Sequence, residues 1–138
     1  NVLFPSAIFL ADGRIAASTG GSVGAWQGRA LKIFSPAGQA LLDIPIGEGM
    51  APRLGREMFP GILGASMDRF TEDLSLLDVT SGAVVRRLPN MISPGWFQRN
   101  TAPPGGPAAR LLLSRDGKLY ELPSISAEPR LLLPLARN

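Results

Sequence analysis

At 138 residues the chain is long enough for one domain with a modest core, and a hydrophobic fraction of 45% excludes disorder over most of it. The absence of Cys and His excludes disulfides, thiolate zinc sites, and Ser-His-Asp or Cys-His catalysis by the chain itself. A net charge of +3, from twelve Arg and two Lys against eleven acids, contains no basic run longer than Arg86-Arg87, so nucleic acid is not expected as a partner.

The start, Asn1-Val2-Leu3-Phe4-Pro5, has neither an initiator Met nor a basic segment. It is expected to be a processed terminus or part of a longer protein rather than a signal peptide. Sixteen Gly and thirteen Pro suit short strands joined by turns better than long helices. No apolar run approaches the ~18 residues that a membrane helix needs, so no membrane span is expected.

In chain order, residues 7–10 and 14–19 read as strands around the turn Asp12-Gly13. An Asp-Gly pair between apolar runs signals a hairpin, because Gly accepts the positive φ of a tight turn. A glycine-rich loop, 20–29 (GGSVGAWQGR), leads to a hairpin at 31–46 (LKIFSPAGQALLDIPI). A second loop, 47–56 (GEGMAPRLGR), precedes strand residues 57–66, a polar turn at 67–73 (MDRFTED) and a hairpin at 74–89 (LSLLDVTSGAVVRRLP). The third unit opens with a strand at 91–98 (MISPGWFQ) and crosses the loop-like 99–109. It continues through 110–114 and the turn 115–118 to a hairpin at 119–134 (LYELPSISAEPRLLLP). Pro60 and Pro94, each before a Gly, suggest bulges or edge positions within strands. The runs Leu111-Leu112-Leu113 and Leu131-Leu132-Leu133 are apolar on both faces, as expected where sheets pack face to face.

The three hairpins start 43 and 45 residues apart. That interval divides the chain into repeats of about 3–46, 47–90 and 91–134, each with four strands in up-and-down order. The expected fold is therefore all-β with three four-stranded repeats. The segment LSLLDVTSGAVVRRL resembles the outer hairpin of a WD-repeat blade, with Asp78 in the place of the Asp of the Trp-Asp pair and Leu77 in the place of the Trp. The resemblance implies part of a β-propeller and a role in protein–protein interaction or scaffolding. Three blades fall short of the roughly four to eight that close a ring, so another chain or further copies would supply the missing blades. The stretches AIFLADGRIAAST and LLLSRDGKLYEL also resemble strand pairs of fibroblast-growth-factor-like β-trefoils, which makes a trefoil the alternative fold and a secreted ligand or lectin its implied role. Other sandwiches and barrels complete the range, and an accessory propeller portion of an enzyme is the remaining functional alternative.

No catalytic residue, metal site or cofactor is expected. Asp68, Glu72 and Asp73 gather three carboxylates but lack the spacing of a calcium loop, and they read as solvated turn acids. Gly20 to Gly28 does not match a phosphate-binding loop, and Ser18 and Ser114 have no general base in the chain to activate them. Asp12 and Asp116 read as turn residues. Trp96 and Phe97 read as core, whereas Trp26 lies in a polar loop and is either a contact residue or a cover for the sheet edge. In a blade, the loops joining second to third strands share one end with the connections between blades. That end is expected to collect Trp26, Gln27, Arg29, Arg53, Arg56 and Arg69 as a partner-binding surface for a protein with some negative charge.

Overall fold

The structure, a computed structural model, describes residues 3–20, 28–48, 53–66, 73–92 and 103–134. Within them the chain is all β, and no helix is long and apolar enough to cross a membrane. The first sheet runs β1 (Leu3–Phe9), β2 (Ile15–Gly20), β3 (Gly28–Phe34), β4 (Ala40–Glu48). The second runs β5 (Arg53–Phe59), β6 (Ile62–Ser66), β7 (Leu74–Asp78), β8 (Val84–Leu88), and the third β9 (Met91–Ile92), β10 (Leu111–Ser114), β11 (Lys118–Glu121), β12 (Arg130–Pro134). Each sheet keeps its strands in chain order and pairs neighbours antiparallel. Among the described residues no strand pairs with a strand of another sheet.

Register explains how the three sheets stack. In the first sheet, Ile8, Ala16, Ile33 and Leu42 stand opposite one another across four strands, so they share one face. With Leu31 and Ile44 they pack on Leu54, Leu63, Ala65, Leu77 and Val79 of the second sheet and its turn. The opposite face of the second sheet carries Met58, Ile62, Leu74, Leu76 and Leu88, which pack on Leu112 and Leu122 of the third sheet and its edge. Every residue of β6 is therefore buried, because a sheet covered on both faces leaves neither side of its pleat to water.

Several sequence expectations change in the structure. Pro60 is not in a strand: Pro60-Gly61 is the whole β5–β6 turn, with Pro60 presetting its own φ and Gly61 at φ +75°. The loop expected at 47–56 is shorter, because β4 runs to Glu48 and β5 starts at Arg53, so Arg53 and Arg56 are strand residues. The third unit's first strand reduces to β9 within the described residues; Pro94, Trp96 and Phe97 lie outside them. The leucine runs are not covered on both faces either. Leu112 is fully buried, but Leu131, Leu132 and Leu133 are exposed on the last strand.

The β7–β8 turn fastens two sheets. Gly82 adopts φ +79°, and a Cβ there would stand 3.1 Å from Cγ1 of Ile44 and 3.3 Å from Cδ2 of Leu42, both on β4. Gly82→Ala thus meets an unfavourable backbone region and crowds the first sheet. It is expected to destabilise the fold by about 1–2 kcal/mol, read as a lowered denaturation midpoint with an unchanged m-value.

Candidate functional site

The two ends of the stack differ in construction. At one end lie the tight β1–β2, β3–β4, β5–β6 and β7–β8 turns, and polar contacts tie the first of them to the third and the fourth. The carboxylate of Glu57 accepts hydrogen bonds from the backbone N–H of Ala11 at 2.7 Å and of Gly61 at 2.8 Å, so it links the first turn to the third. Arg14 donates to Asp12 at 2.7 Å and to the Thr80 hydroxyl at 3.1 Å, linking the first turn to the fourth. The backbone N–H of Arg14, with its guanidinium, holds Asp12 below the ordinary carboxylate value of 3.8. Asp78 accepts from the N–H groups of Thr80 and Ser81, and both bonds lower its pKa. Its carboxylate therefore serves its own turn.

The opposite end carries the connections between β2 and β3 and between β6 and β7, whereas the segment before β10, whose Gly105 N–H bonds the carbonyl of Met58, lies with the tight turns. Two of the candidate residues stand near strand starts here: Arg29, second in β3, pairs with Gly47, and Arg53, first in β5, pairs with Ser66. Arg53 is exposed. Arg56 stands further along the same strand. It is half-buried and donates from Nη1 to the carbonyl of Ala108 at 3.0 Å, tying β5 to the segment before β10. Trp26, Gln27 and Arg69, with Asp68 and Glu72, lie outside the described residues. Asp73 accepts a hydrogen bond from the backbone N–H of Asn90 at 3.4 Å.

The serines considered at the sequence level are structural. Ser18 is buried in β2. The Ser114 hydroxyl donates to Asp116 and accepts the N–H of Lys118 at 3.0 Å, which fastens the β10–β11 turn and lowers the pKa of Asp116. Among the described residues no group of three acidic side chains converges in a way that could hold a metal ion.

A cleft of about 350 Å³ opens between β8 and the third sheet, lined by Arg87, Leu88, Pro89, Met91, Tyr120 and Pro129 among others. Arg86, also on its wall, is already engaged: its Nη1 donates to the carbonyls of Ile125 and Ala127. Arg87 is exposed and lies at the β8 end nearest the long connections. Arg87 and Tyr120 are 33 positions apart (120 less 87) on different repeats, so no local pattern announces their meeting. The only signal available was the Arg86-Arg87 pair in an otherwise apolar strand.

No protein-family model matches this chain, and the searches of curated proteins and of solved structures likewise find no match.

Proposed function

We propose that the chain contributes three blades of a β-propeller and works as a non-catalytic binding module for another protein. The observation that carries this reading is the stacking: three up-and-down sheets lie face to face, and the middle one is buried on both sides. Blades pack this way around an axis. A trefoil would need strands of different repeats to pair into a shared barrel, and the described pairings join strands only within a repeat. Scaffolding suits such a chain better than chemistry, since it has no His or Cys to act as base or nucleophile.

The binding face of this reading is the end with the β2–β3 and β6–β7 connections, where Arg53 and Arg87 are exposed; in the sequence, Trp26 belongs to the β2–β3 connection. Connections on a rigid scaffold are the usual site of recognition, and in the first two sheets the longer ones lie at this end. The suited partner is an acidic protein segment. A fluorescent octaglutamate peptide, titrated at low and high salt, tests the assignment. Arg53→Ala and Arg87→Ala are each expected to weaken its binding about two- to fivefold and to flatten the salt dependence, as exposed charge pairs do. Trp26→Ala is expected to weaken it further through lost contact area. Unchanged affinity and salt dependence in all three variants would refute this face.

A further inference from the structure

Among the described residues, the two sheets at the ends of the stack each leave one face uncovered, and both faces are apolar. On the first sheet, Phe9, Ile15 and Phe34 stand opposite one another across β1, β2 and β3, and Phe9 is 79% exposed. On the third, Ile92, Leu113, Leu119 and Leu133 form one row across all four strands, with Leu133 46% exposed. Charges beside these rows are already paired. Lys32 lies 3.6 Å from Asp43 on the first sheet, and Glu121 takes Arg110 at 3.4 Å and Arg130 at 2.6 Å on the third. A face whose charges are paired in advance loses less when it is covered.

The sheets stack in one direction. β5 packs beside β1, first strand against first strand, and the N–H of Arg115 bonds the carbonyl of Asn90, which sets the β10–β11 turn at the end where β8 stops. The uncovered face of the first sheet is therefore the kind that the second sheet turns toward the first. The uncovered face of the third is the kind that the second turns toward the third. One chain thus carries both halves of a contact that it already makes twice internally.

Resting on the blade reading above, we infer that the occupant of each open face is a second copy of this chain, the first sheet of one copy seating on the third sheet of the other in both directions. Two such contacts unite six sheets, within the roughly four to eight blades that close a ring. A head-to-tail contact that closes in this way ends growth, whereas an open one would build fibres.

Native mass spectrometry with ion mobility, at micromolar concentration, tests the inference on the full chain and two variants. The unaltered chain is expected to be a dimer. Phe9→Arg and Leu133→Arg each damage both contacts of their own dimer and are expected to weaken it by about tenfold or more. Mixed in equal amounts, the two variants are expected to recover a mixed dimer, because one of its two contacts joins an intact first-sheet face to an intact third-sheet face. Phe9→Ser, which adds no charge, and thermal unfolding of each variant separate a lost contact from a lost fold. A dimer broken by only one of the two arginine variants, with no recovery on mixing, would overturn the two-way contact and leave the blade reading standing. A compact, stable monomer of the unaltered chain would overturn both.

Discussion

Replacing Leu76 by alanine is expected to destabilise the fold by about 3 kcal/mol, within the roughly 2–5 kcal/mol typical of removing a buried leucine side chain. Leu76 lies on β7 with no exposed surface and packs with Leu74, Leu88, Leu112 and Leu122 between the second and third sheets. Gly64, its partner across the ladder, has no side chain to move into the gap. Leu63→Ala, on the face turned to the first sheet, is expected to cost a similar amount, because Leu63 is just as buried in the other cluster. Val85→Ala, on the exposed outer strand of the same sheet, is the control and is expected to stay within about 0.5 kcal/mol of the unaltered chain. Urea denaturation of the three variants measures the differences. If Leu63→Ala and Leu76→Ala shifted the midpoint no more than Val85→Ala, the second sheet would not be enclosed on both sides.

The hairpins were legible because turn chemistry and strand periodicity are local. Gly13, Gly82 and Gly117 each adopt positive φ in turns that the sequence had marked, and the strands around them follow. Grouping into three sheets of four was legible from the repeat interval. What escaped was set by contacts between repeats. Arg56 reads as a loop cation until Ala108, 52 positions away, supplies the carbonyl that takes its guanidinium. Pro60 reads as a strand irregularity because the glycines and proline of 47–56 hide the strand that starts at Arg53 and ends before it. Leu131, Leu132 and Leu133 read as doubly buried, since an apolar run does not state whether a neighbouring sheet exists to cover it. Of the candidate surface, Arg53 reads as a loop residue but stands at the start of β5, while the cleft with Arg87 and Tyr120 arises only when the second and third sheets meet.

Glu57 is the residue whose importance a composition argument hides most completely, and Glu57→Ala is expected to cost about 2 kcal/mol. An acid inside an apolar strand is ordinarily a solvent-facing residue, yet the register sets Glu57 opposite Leu63, on the face turned to the first sheet. From there each carboxylate oxygen takes one backbone N–H, Ala11 in the first sheet's turn and Gly61 in the second's. Hydrogen bonds to a charged group contribute about 1.5–3 kcal/mol each when sheltered and less when water can compete. The bond to Gly61 is part-buried and the bond to Ala11 exposed, which discounts the pair to the figure given. Glu57→Gln separates the two roles, because its amide keeps one acceptor oxygen and replaces the other with a donor facing an N–H. Its cost is expected to fall between that of alanine and zero. Hydrogen exchange gives the sharper reading: the Gly61 amide is expected to lose protection in both variants, whereas Leu112, in the third sheet, is expected to keep its own. Unchanged protection at Gly61 in Glu57→Ala would mean that the turn holds itself, and that the two sheets are joined at this end by packing and Arg14 alone.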